Sequence, residues 1–411
     1  MRKMRLQSLG MRDVRIVNEL RLLNMIRQYQ PISRVQISRL TGLNASTVTI
    51  IVKRLLSHDM ISEGTPGLST GGRRPTFLTV NPKKMSVLGI DLGLSQTSYT
   101  IADFNGQQIH SRTLPTIAES EDFIQSICDN ILEDISRIRP GAGSKLRAVG
   151  VSVPELVDVQ EGSMILGLDQ GWEKIEVRKL IEARLGIPTF IENDASAAAL
   201  GEIWLGSAKL LGYRNIVYVL VVEGIGTGLI LEGRLYRGSR IGTGGFGHIL
   251  MDPSGPACIC GGRGCWESLA SERALQRRYA ELSNQLSPGR GHVSDALSII
   301  EAAAGGDRAA IDALTQTAKY LGLGILGLVH GLSPQTIIVG GNVALAWDIV
   351  GPIIRETVRS RLHIPSLAAV EIVPSSVANP PSLLGAVAVA LSSILELEVA
   401  DPAVLSHATL V

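Results

Sequence analysis

The stretch Gly242–Glu267 reads GTGGFGHILMDPSGPACICGGRGCWE and holds three of the chain's four cysteines, Cys258, Cys260 and Cys265, with His248 upstream. Cysteines this dense, set among glycines, suit a structural zinc site, because Zn²⁺ takes four thiolate or imidazole ligands in a tetrahedron closed to water. A disulfide and a set of unbridged core thiols are the alternatives. Cys-x-Cys is too short for an easy disulfide, and nothing else in the chain looks secreted, so zinc is the expectation. The flanks matter as much as the cysteines. Glu267 follows the last cysteine by two residues, and His248 has a second ring nitrogen to offer a ligand. The metal loop is expected to hold polar groups at the wall of a pocket.

Working outward, 411 residues suggest two or three domains, and a hydrophobic fraction of 45% is ample for buried cores. No apolar run reaches the ~18 residues of a membrane helix, and Met1–Gly10 is basic without an apolar segment. A cytoplasmic protein with no membrane partner is the expectation. The net charge of +1 hides an asymmetry: residues 1–84 carry 15 Lys+Arg against 4 Asp+Glu, a net +11, and the remainder carries −10. A basic head on an acidic body points to a polyanion partner for the head.

In the head, Ile16, Leu20 and Leu23 predict a first helix ending near Tyr29, before Pro31. Ser33 and Gln36 form a capping box for a second helix that ends at Thr41-Gly42, with Ile32 and Ile37 as its hydrophobic staple. Asn44 caps a third, on which Val48, Ile51, Val52 and Leu55 make an apolar stripe. Helix, glycine turn, helix is the helix-turn-helix pattern. Met60–Glu63 and Thr76–Val80 read as strands around GTPGLSTGGRRP, a wing holding Arg73 and Arg74. The expected DNA-contacting residues are Arg34, Ser46, Thr47, Thr49, Lys53, Arg54, Arg73 and Arg74, small hydroxyls approaching base edges and cations meeting phosphates.

The body shows strand, glycine turn, strand twice. Val87–Ile90 runs into Asp91-Leu92-Gly93-Leu94-Ser95 and then Ser98–Asp103. Asn215–Val222 and Leu229–Leu231 flank a glycine loop, Glu223–Gly228. Ala148–Val153, Thr189–Glu192 and Thr336–Val339 are further buried strands, and a helix is expected over Ala195–Trp204. Two similar α/β lobes around a cleft follow. Cys128, on an amphipathic helix with Phe123, Ile124, Ile127 and Ile131, is expected in the core or partly buried. The glycine- and alanine-rich helix Ala309–Leu332 suits either a dimer surface or interior packing.

The set SRVQISRLTGLNASTVT, GGRRP, EGIGTGLILEGRLYRG, ENDASAAALGE, GFGH, CICGGRGCWE and IIVGGNVA, in this order, resembles transcriptional regulators of the ROK family (repressors, open reading frames and sugar kinases). The Trp266-Glu267 pair and LYRGS are most similar to its xylose-repressor branch. The resemblance implies a winged helix-turn-helix over residues 1–82, then two actin-like, ribonuclease-H-like lobes. The first lobe would span 83–195, with helix 383–399 packing back on it, and the second 196–382 with the zinc site and a dimer surface. It implies zinc on His248, Cys258, Cys260 and Cys265. It implies sugar hydroxyls on Asn193, Asp194, Glu267 and the free nitrogen of His248. It further implies a homodimer or dimer of dimers that binds double-stranded operator DNA under control of a sugar or sugar-phosphate effector.

Departures from the family pattern bear on the chemistry. The kinases of the family use an aspartate equivalent to Asp194 as general base and two glycine loops for ATP. Here Leu94 stands for glycine, Ser95 for threonine, and Val222-Glu223 for a Gly-Thr pair. A carboxylate aimed at polyphosphate is repulsive, so no kinase activity is expected. Gly245 stands where the family has a sugar-gripping glutamate, and Glu155 where it has glycine.

Overall fold

The computed structural model describes residues 11–66, 75–116, 120–138, 145–154, 156–165, 174–207, 212–238, 244–286, 295–364, 367, 369–377 and 380–395. Arg73, Arg74 and Glu155 lie outside these. In the head, α1 (Met11–Tyr29), β1 (Ile32–Ser33), α2 (Arg34–Thr41), α3 (Ala45–Ser57), β2 (Ile61–Pro66) and β3 (Thr76–Val80) follow in order, and the strands pair β1-β3-β2, all antiparallel. The caps are as the sequence predicts. The Ser33 amide donates to Gln36 Oε1 at 2.9 Å, and Asn44 Oδ1 accepts from the Thr47 amide at 2.8 Å. Such a cap is worth about 1 kcal/mol. Helix α3 buries Val48, Ile51, Val52 and Leu55, the predicted stripe.

The first lobe contains β4 (Met85–Leu92), β5 (Gln96–Asp103), β6 (Gln108–Pro115), α4 (Ser120–Ile138), β7 (Lys145–Val153), β8 (Val157–Asp158), β9 (Ser163–Met164), α5 (Val177–Leu185), β10 (Thr189–Asn193) and α6 (Asp194–Leu205). Its main sheet runs β10-β7-β4-β5-β6. The second lobe has β11 (Ile216–Val221), β12 (Ile225–Leu231), β13 (Arg234–Leu235), α7 (Trp266–Ala270), α8 (Glu272–Leu286), α9 (Ala296–Ala304), α10 (Arg308–Leu332), β14 (Thr336–Gly340), α11 (Trp347–Arg359) and β15 (Glu371–Pro374). Its sheet runs β13-β12-β11-β14-β15. In both lobes the first strand lies at the centre, antiparallel to the second and parallel to the fourth. The two sheets are one design used twice, the actin-like plan expected. Strand β11, IVYVLV, is buried at every position because helices cover both its faces.

The second glycine turn is tighter than the sequence suggests. Strand β12 begins at Ile225, so Gly226 and Gly228 are strand residues rather than loop. The cause is α6: a Cβ on Gly228 would sit 2.3 Å from the Ala195 carbonyl oxygen. Glycine is there for close approach of backbones. Helix α12 (Pro381–Leu395) packs against α6 and against strands β7 and β4 of the first lobe, and residues 396–399 of the predicted helix lie outside the described residues. Helix α10 turns its alanine and glycine face inward, with Ala310, Ala313 and Gly324 buried in the second lobe's core. Cys128 is fully buried, and burial pushes its thiol up to about 11. Among the described residues no helix is long and apolar enough to cross a membrane.

The head and the first lobe share one apolar cluster. Leu20, Leu23 and Ile26 of α1 join it with Phe104, Trp204, Leu391 and Leu395.

Candidate metal centre and ligand cleft

Helix α7 starts at the last cysteine of the metal loop, and Trp266 anchors it: the buried indole donates from Nε1 to the Tyr320 carbonyl of α10 at 2.9 Å. This holds the loop on the rigid part of the second lobe. Around it His248, Cys258, Cys260 and Cys265 converge, with one ligand atom from each lying within 4.8 Å of the others. Cys260 and Cys265 sulfurs are 3.7 Å apart, and Cys258 Sγ lies 3.6 Å from His248 Nδ1. A tetrahedron with metal–sulfur bonds of about 2.3 Å and metal–nitrogen bonds of about 2.05 Å demands separations of about 3.8 and 3.6 Å. The four residues therefore fit a tetrahedral metal, and all four cysteines of the chain are unbridged. Because Nδ1 faces the sulfurs, Nε2 is the histidine nitrogen left for a ligand.

Glu267, in the first turn of α7, stands between this cluster and the cleft. Its Oε2 accepts the Ile225 amide at 3.0 Å, and its Oε1 lies 3.7 Å from Cys258 Sγ. A Cβ on Gly224 would come within 2.5 Å of the same carboxylate, so a larger residue in that turn would have to push Glu267 aside. Across the cleft, Asn193 caps α6. Its Oδ1 accepts from the Ala195 and Ser196 amides at 3.1 and 3.2 Å, and its Nδ2 donates to Asp194 Oδ1 at 2.9 Å. Capping and ligand contact are thus compatible, since the cap fixes the side chain that lines the opening. Asp194 sits in the first helical turn, where the helix dipole favours a carboxylate. The cleft between the lobes has a volume of about 1210 Å³, and its lining includes Asn193, Asp194, His248, Glu267, Gly245 and Glu223. The four expected sugar contacts are therefore on one cavity. Gly245 is exposed there, with nothing within 4 Å of where a Cβ would stand.

The far end of the cleft, at the two glycine turns, is acidic. Ser95 Oγ donates to Glu223 Oε1 at 3.2 Å. Asp91 shows part of its surface to the cleft, but its carboxyl is sunk at the end of β4. Burial pushes it up to about 6, with the Glu223 charge adding to the rise, although Ser382 Oγ donates to it at 2.7 Å. Burial, and then Glu223, pushes Glu272 at the start of α8 up to about 7. Glu192, 3% exposed, is also raised by burial and is held by Arg237 Nε at 2.7 Å. The sequence reading missed Asp91, Glu272, Glu192 and Arg237 as cleft groups. Asp91 and Glu192 stand near strand ends, Glu272 at a helix start and Arg237 just past β13, elements far apart in the chain.

In the head, Ser46 and Lys53 are exposed on α3, and Thr47 and Thr49 are half-buried. Ser46 Oγ donates to Asn44 Oδ1 and Thr49 Oγ1 to the Ala45 carbonyl, so neither hydroxyl extends away from its own helix. Arg34 pairs with Glu63 at 2.5 Å. Arg54 reaches Glu19 Oε1 at 3.0 Å, joining α3 to α1. Ile50 on the same face is 68% exposed.

The comparisons with known proteins agree with this architecture. The xylose repressor of Bacillus spizizenii is 32% identical over 384 residues, spanning 93% of this chain and 97% of that protein. The glucokinase of Streptomyces coelicolor is 31% identical over 311 residues, spanning 73% of this chain and 95% of that one. A solved ROK family transcriptional regulator, a homologue of the E. coli MLC protein, superposes with a TM-score of 0.75 over 92% of this chain and 96% of that one. Its identity is 24%, so the likeness is one of fold. The ROK family model itself matches residues 87–393. With that match covering most of the chain, and a relative 32% identical along nearly its full length, the chain belongs to the ROK family.

Proposed function

We propose that this chain is a sugar-responsive, DNA-binding transcriptional repressor of carbohydrate genes. Residues 1–82 act as a winged helix-turn-helix, and the effector lies in the interlobe cleft. The observation that carries the reading is the joining, in one chain, of a basic head to a cleft that gathers Asn193, Asp194, His248 and Glu267. Vicinal sugar hydroxyls donate and accept at once, and an amide beside carboxylates meets both needs. The match to the xylose repressor over 93% of the chain, too long to omit the head, supports it further. Zinc would be held by His248, Cys258, Cys260 and Cys265 and would supply a rigid clip, no reaction. The regulator is a homodimer or dimer of dimers, whose heads read the halves of a palindromic operator. Lys53, Arg73 and Arg74 would meet phosphates and Ser46, Thr47 and Thr49 base edges, with Arg34 and Arg54 at the backbone.

An alternative with the same fold is a sugar kinase bearing a DNA-binding head, and Asp194 is the residue it would need. Against it stand Leu94 and the Glu223 carboxylate, at the two glycine turns where polyphosphate would lie. The test is a thermal-shift titration of the full zinc-loaded chain against aldopentoses, aldohexoses, N-acetyl sugars and their phosphates. A selective stabilisation of a few degrees is expected for one sugar. A flat response across the panel would replace the sugar effector with a protein partner or constitutive repression, and sugar-dependent ATP turnover that vanished in Asp194→Asn would turn the reading to the kinase.

A further inference from the structure

We infer that α6 transmits the state of the cleft to the head, and that Arg27 on Trp204 is the positioning pair at its far end. The inference rests on the cleft being the effector site. The helix begins at Asn193 and Asp194 on the cleft and ends eleven residues later beside the head. There the Arg27 guanidinium of α1 lies 4.4 Å from the centre of the Trp204 ring, and Nη1 donates to the Trp204 carbonyl at 3.4 Å. Both residues are buried, at 4% and 2% exposure.

Between its ends α6 has little freedom to absorb a displacement. A Cβ on Gly385 of α12 would fall 2.3 Å from the Ala197 carbonyl carbon, and strand β12 of the second lobe presses on Ala195 as closely. Backbone rests on backbone on both sides, so no side chain can change rotamer to take up a shift. Glu202, 2% exposed, also accepts Ser375 Oγ of the second lobe at 2.9 Å. A change in the angle between the lobes therefore bears on α6 as a body, and packed interiors pass such shifts on rather than dissipate them.

On the head side the path continues to the DNA face. Helix α1 carries Glu19, which is 6% exposed and holds Arg54 of α3 at 3.0 Å. One turn past Arg27, Gln30 donates to Asn105 Oδ1 of the first lobe at 2.8 Å and accepts the Val80 amide of β3 at 2.9 Å. The recognition helix is thus tied to α1 at Glu19, ahead of Arg27, and the wing strand to Gln30, just past its end, so both hang on the helix that meets α6. A guanidinium in this apolar cluster costs desolvation that a hydrocarbon side chain would avoid. What it adds is a fixed orientation, held over the indole and bonded to the Trp204 carbonyl.

The experiment uses the full-length zinc-loaded chain, D-xylose as the first sugar and D-glucose if D-xylose does not bind. The DNA is the duplex that the protein selects from a randomised pool. The sugar dissociation constant is measured for the free and the DNA-bound protein, whose ratio is the coupling between the sites. Wild type should give a ratio of about 5- to 150-fold. Arg27→Met should bring it within about twofold of one while leaving the free-protein constant within about threefold of wild type, and Arg27→Lys should fall between. If the Met variant does not melt cooperatively, Arg27→Lys decides by itself, since a ratio below wild type supports the relay. A wild-type ratio retained in the Arg27 variants overturns the relay and leaves the effector reading standing. A wild-type ratio of one overturns the effector reading, and the relay with it.

Discussion

Glu223 accepts the Ser95 hydroxyl at 3.2 Å and so joins the glycine turns of the two lobes across the cleft, 128 residues apart in sequence. The contact places a carboxylate where Asp91 and Glu272 already converge, and both are raised in part by its charge. The turn end of this cleft therefore gathers three carboxyl groups, two of them raised by burial.

That arrangement makes stability depend on pH. Glu272 titrates near 4.5 when unfolded and is held up to about 7 in the fold, by burial first and Glu223 second. The folded chain therefore keeps a proton that the unfolded chain has released. The stabilisation this gives is fully present below about pH 4.5 and is lost as pH rises through about 7, and Asp91 behaves likewise from 3.8 to about 6. Glu272→Gln should melt above wild type at pH 8, by an amount on the order of a few kcal/mol, with the gap closing toward pH 4.5. Thermal melts at several pH values check this; parallel curves would contradict it.

Metal removal should reach the cleft through Glu267, whose carboxylate spans Cys258 and the Ile225 amide. Elemental analysis should find one zinc per chain, and Cys260→Ser should lose it. Chelated protein should melt lower and no longer respond to sugar. A sugar response untouched by chelation would break the link between the two sites.

Asn193 has two jobs that mutation can separate. Asn193→Ala removes the cap of α6 and should cost about 1 kcal/mol, whereas Asn193→Ser keeps a capping oxygen and should cost little. Both should abolish the sugar-dependent thermal shift. Retention of the shift in Asn193→Ala would leave the residue as a cap only.

Gly245 is open to solvent, and nothing stands within 4 Å of where a Cβ would be placed. Gly245→Glu should fold normally and return a carboxylate to the sugar wall. A regained charge-assisted hydrogen bond should strengthen sugar binding roughly 10- to 100-fold. Calorimetric titration of the two proteins with the same sugar tests it, and equal constants would show that the ligand is gripped without that position.

What the sequence made legible was local. Ser33 with Gln36, Asn44 with its stripe, and the Cys-x-Cys loop each announce themselves within a few residues, because caps and metal clips are short-range devices. The extent of β12 was hidden, since Gly226 and Gly228 look like turn residues until α6 is seen pressing on them. The acidic cleft end was hidden for a different reason: Asp91, Glu223 and Glu272 meet through the packing of β4, the second turn and α8. Arg54 reads as a phosphate contact from its place on α3, and its partner Glu19 lies a helix and a half away.

The apolar cluster shared by head and body sets a condition on building chimeric regulators. Leu20, Leu23 and Ile26 are packed in common with Phe104, Trp204, Leu391 and Leu395, so residue 82 ends a stretch of chain and not a unit of packing. A head borrowed from another regulator would meet these four side chains as a foreign surface. Grafts that carry the matching residues of the first lobe and of the last helix along with the head should retain both recognition and response, and grafts joined at residue 82 by sequence position should lose the response first.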